Sequence, residues 1–129
     1  MTHEELLNAI ILAASETGAA LLWKNPQGSG LVQRKGGKPV FMRWGVGPAE
    51  GGGLDLVGLR NSDGRFLMID AKVGRDRLSE KQKKVIRWVQ MRGGIAGEAR
   101  SVEQALALIN EKARLGGRNL TGLSEWKGR

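Results

Sequence analysis

A chain of 129 residues, 40% of them hydrophobic and 26% charged, is long enough for one domain with its own core. It has no cysteine, which excludes disulfides and thiolate metal sites, and no apolar run approaches the length of a membrane span. The net charge of +8 favours a polyanionic partner, nucleic acid above all. With no basic signal sequence at the start, we expect a soluble, cytoplasmic protein.

The first 18 residues have the pattern of an amphipathic helix. Thr2 and Glu5 have capping-box spacing, apolar residues recur at helical intervals, and Gly18 follows as a stop. We therefore predict a helix over residues 2–16. His3 lies near its start, and a single histidine there is a weak argument for a metal site, so we interpret it as a mobile terminal residue.

Short apolar stretches and glycine-rich loops alternate from residue 19 to residue 53. Strands are predicted at 19–23 and 40–44, where aromatic and branched residues are concentrated. Residues 25–30 contain Pro26 and two glycines and are predicted to be a loop. The stretch from Gly45 to Gly53 has the composition of a second loop.

The clearest hairpin of the chain covers residues 54–72. Residues 54–59 and 65–72 are strand candidates, and Asn61-Ser62-Asp63-Gly64 between them is a strong turn signal. Phe66, Met68, Asp70 and Lys72 share one face of the second strand. Because both faces of this strand are mostly apolar, we predict that it lies at the centre of the sheet.

Two further helices and one strand complete the order of elements. Ser79 caps the second helix, with Gln82 in the capping-box position, and Gly93-Gly94 ends it. A strand at 95–99 and a third helix from Ser101 to about Ala113 follow, and residues 114–129 form a basic tail that we expect to be loosely ordered. A helical crossover allows the last strand to lie parallel to the hairpin. The fold class is therefore α/β, a mixed sheet flanked by helices.

Acidic residues near one end of the hairpin suggest a metal site. Charges at the end of a buried strand are costly unless they are paired, and the hairpin brings Asp55 close to Asp70. Two neighbouring carboxylates favour a hard divalent cation, which polarises a phosphoryl oxygen and lowers the pKa of bound water. Lys72 can orient water or offset phosphate charge. A structural ion pair between Asp70 and Lys72 is the alternative.

Motifs in a fixed order extend this local pattern over residues 4–109. They are Trp23-Lys24-Asn25, Arg43-Trp44-Gly45, Gly53-Leu54-Asp55, Gly64-Arg65-Phe66, Ile69-Asp70-Ala71-Lys72, Leu78-Ser79-x-x-Gln82, Gly93-Gly94 and the stretch 100–105. This set resembles the VRR-NUC branch of the PD-(D/E)XK nuclease superfamily, small stand-alone proteins of phages and bacteria. The resemblance implies a restriction-endonuclease-like αβββαβ core with a C-terminal helix over residues 1–113, in a bacterial or phage-infected host cell.

The resemblance also implies roles for individual residues. Asp55 and Asp70, with the Ala71 carbonyl and Glu4 of the first helix, would ligate Mg²⁺ or Mn²⁺. Lys72 would be the catalytic lysine, and Gln82 would face the site, although by sequence alone it is a capping residue. Glu4 could equally be an exposed acid of the first helical turn. The sequence departs from the family in two places: residue 70 is aspartate where this branch usually has glutamate, and Leu54 replaces a proline.

DNA is the expected substrate, and the resemblance adds branched or four-way junction DNA and a homodimer. Residues around the early loops and the start of the second helix are predicted to contact nucleic acid: Lys24, Asn25, Arg43, Arg75, Arg77, Lys81, Lys83 and Lys84. A solvated helix face is the alternative for each of the basic residues. Two functional alternatives stay open: a non-catalytic basic module that binds nucleic acid on the same scaffold, and an accessory subunit for DNA packaging or replication.

Overall fold

The computed structural model describes residues 1–47 and 53–112, within which three helices and six strands occur. In chain order they are α1 (His3–Glu16), β1 (Ala20–Lys24), β2 (Gly28–Val32), β3 (Val40–Trp44), β4 (Leu56–Arg60), β5 (Phe66–Ala71), α2 (Glu80–Met91), β6 (Ile95–Ala99) and α3 (Val102–Ile109). The predicted tail at 114–129, most of the predicted loop before Gly53 and the predicted helix end at Ala113 lie outside the described residues.

A four-stranded sheet in the order β1-β4-β5-β6 forms the centre of the fold. Strand β4 is antiparallel to both of its neighbours, β1 and β5, whereas β5 and β6 are parallel. Helix α2 connects these two parallel strands, because such a connection needs a crossover. The mixed α/β class and the central position of β5 are confirmed. The element order is consistent with the restriction-endonuclease-like fold.

Helices cover both faces of this sheet. Apolar residues of α1 and α3 pack on one face, where Leu67, Ile69 and Ala71 of β5 are fully buried. Val85 of α2 packs on the other face against Met68. Burying a side chain such as Leu67 or Ile69 stabilises the fold by about 1.5–3 kcal/mol. Because successive side chains of a strand point to opposite faces, Asp70 lies on the same face as Met68, the side covered by α2.

Capping boxes begin the first two helices as the sequence predicts. The Thr2 hydroxyl accepts from the Glu5 N–H while the Glu5 carboxylate accepts from the Thr2 N–H, and Ser79 and Gln82 repeat the arrangement at α2. These caps satisfy N–H groups that have no partner within the helix. They also fix which residues occupy the first turn of each helix. No helix in the described part of the chain is long and apolar enough to cross a membrane.

The segment 25–30, predicted to be a loop, is strand from Gly28 onwards. Strand β2 pairs antiparallel with β3 to form a separate two-stranded sheet, the outer hairpin. A Cβ atom at Gly28 would lie 2.6 Å from the Trp44 ring, so this strand needs its glycine for the ring to pack closely. The glycines and Pro26 give this segment the composition of a loop. It forms a strand because it pairs with β3, and its own sequence lacks the alternation typical of a strand.

Candidate active site

Asp55 and Asp70 are brought together by the register of β4 and β5. The pairing of these strands begins with Leu56 opposite Ile69, so that one further step places Asp55 opposite Asp70. Opposed residues of antiparallel strands have their Cβ atoms about 4.5–5.5 Å apart. The two acids that the sequence predicts to meet therefore lie side by side at one end of the hairpin.

Asp70 is a buried carboxylate with few hydrogen bonds. Only 1% of the surface of Asp70 is exposed. Its Oδ2 lies 2.9 Å from Lys72 Nζ, and its Oδ1 accepts a hydrogen bond from Gln82 Nε2 at 3.3 Å. Burial raises the pKa of Asp70 to about 6; Lys72 opposes this increase, and the neighbouring Asp55 charge adds to it. Loss of water around this carboxylate thus outweighs the attraction of the lysine.

Gln82 has both of the roles that the sequence left open. Its Oε1 accepts from the Ser79 N–H at 2.9 Å, which closes the capping box of α2. Its Nε2 is thereby turned to donate to Asp70. The cap fixes the amide, so the start of α2 supplies a hydrogen-bond donor to the acidic pair.

Asp55 is held by two donors on the same oxygen atom. Its Oδ2 accepts from the backbone N–H of Ala71 at 3.0 Å and lies 3.0 Å from His3 Nε2. Asp55 is partly exposed, in contrast to Asp70. Both bonds end on Oδ2.

The first turn of α1 contributes a different residue from the predicted one. His3, which we interpreted as a mobile terminal residue, is the first residue of α1 and contacts Asp55. Glu4 instead forms an ion pair with Lys24 at the end of β1. No local signal marks His3, because the contact joins residues 52 positions apart. The assignment of Glu4 as a metal ligand stays a prediction.

Asn25, which the sequence analysis predicts to contact nucleic acid, lies inside the fold. Its side chain is buried, with Nδ2 donating to the carbonyls of Val46 and Leu54 and Oδ1 accepting from the Val46 N–H. All of these bonds are 2.7–2.9 Å long. The amide is therefore occupied by the protein and ties the segment after β3 to the residue before Asp55, instead of facing nucleic acid.

Basic side chains flank the acidic pair on the loop between β5 and α2. Arg75, Arg77 and Lys83 line a cavity of about 860 Å³ together with Glu98 and Arg100. Glu98 lies beside Asp70 in the β5–β6 register. Arg100 pairs with Glu98 at 2.9 Å and donates to the carbonyls of Gly74 and Asp76, which holds the loop in place.

Three other residues predicted to contact nucleic acid do not line this cavity. Lys81 is exposed on α2, and Lys84 lies 5.6 Å from the centre of the Trp88 ring. Arg43 of β3 lies 6.0 Å from the centre of the Phe41 ring on the outer hairpin. Both cations lie at the surface, each against an aromatic ring.

The side chains of this site fit an oxygen-coordinated divalent cation. Within residues 1–47 and 53–112 no three His, Cys, Asp or Glu side chains form a complete ligand cluster. Two carboxylates are present, however, and Asp70 Oδ2 is buried without a hydrogen bond from the described residues, 2.9 Å from the Lys72 ammonium. Mg²⁺ and Mn²⁺ bind to one or two carboxylates and complete their shells with carbonyl, water or phosphate oxygens.

A match to a known family covers the segment of the chain that contains the acidic pair. Residues 47–103 match the family model of the VRR-NUC domain, and this match confirms the resemblance found in the sequence. The matched segment contains Asp55, Asp70, Lys72 and Gln82, whereas α1, with His3 and Glu4, precedes it. No curated protein sequence matches the chain.

Proposed function

Because residues 47–103 match the VRR-NUC domain, we propose that the protein is a divalent-metal-dependent nuclease that hydrolyses phosphodiester bonds in DNA. The observation that carries this proposal is the closeness of Asp55 and Asp70 at one end of the hairpin, with the ammonium of Lys72 beside Asp70. Two acids and a lysine at one end of a buried hairpin are costly for stability, and metal-assisted hydrolysis is a chemistry that uses all three.

Asp55 and Asp70 would hold Mg²⁺ or Mn²⁺, and the Ala71 carbonyl and Glu4 stay proposed as further ligands. When bound, such a cation polarises the phosphoryl oxygen and lowers the pKa of water. Lys72 is 14% exposed, so its ammonium acts in a poorly solvated place where its charge is weakly screened. It is positioned to offset charge on the phosphate. Gln82 and Lys72 contact different oxygen atoms of Asp70 and together hold its orientation.

DNA as the substrate follows from the family and from the charge around the site. The loop after β5 carries Arg75 and Arg77, and Lys83 faces the same cavity from α2. Phosphates are the natural ligands of such a group, and the net charge of +8 attracts a polyanion from a distance. These contacts would lead the DNA backbone toward Asp70.

Branched or four-way junction DNA and a homodimer complete the proposal. Both rest on the resemblance, and the outer hairpin supports the second. One face of the outer hairpin carries four apolar residues that are 36–52% exposed: Val32, Val40, Met42 and Trp44. An isolated two-stranded sheet is marginally stable in water, and a second copy would cover this apolar face. A molar mass of two chains in light scattering, lost on Met42→Glu, is the expected result.

A non-catalytic module that binds nucleic acid is the second candidate function. The 2.9 Å ion pair between Asp70 and Lys72 favours it, because a paired lysine needs no catalytic role to explain it. Under this alternative the basic surface would act alone. The protein would then bind DNA with and without metal and would cut none of it.

A cleavage assay separates these candidates. Purified protein is incubated with linear, nicked, flapped and four-way DNA in Mg²⁺ or Mn²⁺, beside Asp70→Ala and the control Glu103→Gln, which removes an exposed acid of α3. We expect cleavage by the wild type and by the control, and at least a hundredfold loss in Asp70→Ala. Binding without cleavage by the wild type, or equal cleavage by Asp70→Ala, would favour the non-catalytic module.

A further inference from the structure

We propose that His3 is a positioning residue, whose imidazole orients the Asp55 carboxylate for metal binding. The inference rests on the proposed function and extends it to a residue outside the matched domain. His3 lies in α1, and its Nε2 is 3.0 Å from Asp55 Oδ2. The family match begins at residue 47 and therefore contains no information on this contact.

The direction of the hydrogen bond follows from the chemistry of the two groups. An ionised carboxylate can only accept, so the imidazole must present Nε2 as N–H and donate it to Asp55. The imidazole is partly exposed, with 43% of its side chain accessible, and this leaves it free of the cost of deep burial. Its role is therefore that of a donor at the edge of the site.

Two donors on one oxygen fix the orientation of a carboxylate. The Ala71 N–H comes from the neighbouring strand β5, and His3 Nε2 comes from helix α1. A single donor would leave the carboxylate free to turn about its Cβ–Cγ bond, whereas two donors from different elements hold it. Such outer partners orient metal ligands, and their removal commonly lowers metal affinity 10- to 100-fold.

The first turn of α1 explains why His3, and not Glu4, reaches Asp55. The capping box between Thr2 and Glu5 sets the start of the helix, and Leu6 and Leu7 are buried against the sheet. With the helix fixed in this rotation, the side chain of residue 3 contacts Asp55 while Glu4 contacts Lys24. The packing of α1 thus determines the donor to the metal-binding acid.

Calorimetric titration of the full chain with Mg²⁺, and separately with Mn²⁺, tests this role. We compare wild type, His3→Ala, His3→Gln and Asn8→Ala, an exposed substitution on the same helix. His3→Ala should bind both ions 10- to 100-fold more weakly. His3→Gln should stay within a few-fold of wild type, since its amide can donate from a similar place, and Asn8→Ala should not change. Unfolding temperatures in chelator, expected to agree within a few degrees, check that α1 is intact.

Each other outcome has a definite meaning. If wild type binds metal and His3→Ala binds it equally well, the positioning role is wrong while the proposed function stands. If the loss is large for Mn²⁺ and small for Mg²⁺, the imidazole is itself a ligand, because imidazole favours the softer ion, and the positioning role is again wrong. If the wild type binds neither ion, the proposed metal dependence fails, and this role fails with it.

Discussion

Lys72 Nζ lies 2.9 Å from Asp70 Oδ2, yet the pKa of Asp70 is raised to about 6. Burial of the carboxylate is the largest cause of this increase, and the lysine only reduces it. The pair therefore costs stability when Asp70 is ionised, since one nearby cation does not replace the lost water. The stability of the fold therefore does not explain this pair, whereas the proposed metal binding does.

Stability of the protein in chelator should therefore depend on the ionisation of Asp70. The pKa is higher in the folded than in the unfolded state, so the folded protein holds the extra proton and loses stability as the pH rises from about 4 through 6. At pH 8 we expect Asp70→Asn to exceed wild type by up to about 3 kcal/mol in urea unfolding. The difference should shrink toward pH 4; a difference independent of pH would contradict this explanation.

Asp63 provides a control of opposite sign for that experiment. Arg60 forms hydrogen bonds to both of its carboxylate oxygens and holds the pKa of Asp63 well below its usual range. The stabilisation is present above the ordinary pKa and is lost as the pH falls. Asp63→Asn should thus destabilise the protein at pH 7, and the destabilisation should become steadily smaller as the pH falls from about 4 toward 2. Destabilisation that persists undiminished at pH 2 would show that the effect is not electrostatic.

Arg60 also connects the hairpin to the end of α3. Its guanidinium is almost buried and donates from Nη1 to the carbonyls of Ile109, at 2.8 Å, and Glu111. The guanidinium of arginine can donate to Asp63 and to these carbonyls at the same time, because its N–H groups point in several directions. The single ammonium of lysine cannot reach all of these acceptors at once. We expect Arg60→Lys to lower the free energy of unfolding by about 1–3 kcal/mol. The exposed Arg87→Lys should change it by less than about 0.5 kcal/mol. Equal effects of the two changes would contradict this role.

Phosphate contacts by Arg75 and Arg77 should be visible in the salt dependence of DNA binding. Each contact to duplex DNA that is lost reduces the slope of log K against log salt by about 0.9. The double variant Arg75→Gln, Arg77→Gln should therefore have a slope smaller by about 1.8, and weaker binding at low salt. Lys112→Gln, an exposed change beyond the end of α3, is the matched control. An unchanged slope in the double variant would show that Arg75 and Arg77 do not contact the phosphates.

The parts of the fold that the sequence predicts are those with strong local signals. The turn at 61–64 and the alternation on either side of it predict the hairpin, and with it the approach of Asp55 to Asp70. Ser79 and Gln82 predict the start of α2. In each case a few adjacent residues contain the information, because caps and turns are satisfied locally.

The remainder depends on packing between distant segments. Strand β2 forms against β3 although its own residues resemble a loop, and Asn25 is buried by bonds to Val46 and Leu54 far along the chain. His3 reaches Asp55 only through the rotation of α1 on the sheet. Such contacts leave no periodicity in the sequence, so neither the missed donor nor the internal position of Asn25 could be predicted from it.

Binding of Mn²⁺ by the wild type, Asp55→Asn and Asp70→Asn, measured by calorimetric titration in parallel with cleavage of one labelled DNA, tests the central claim most directly. We predict that the wild type binds the ion and cuts, and that each substitution weakens binding at least tenfold and lowers cleavage together with it. Unchanged Mn²⁺ affinity in both variants, or cleavage by the wild type that persists in chelator, would contradict the claim that these two carboxylates hold a catalytic metal.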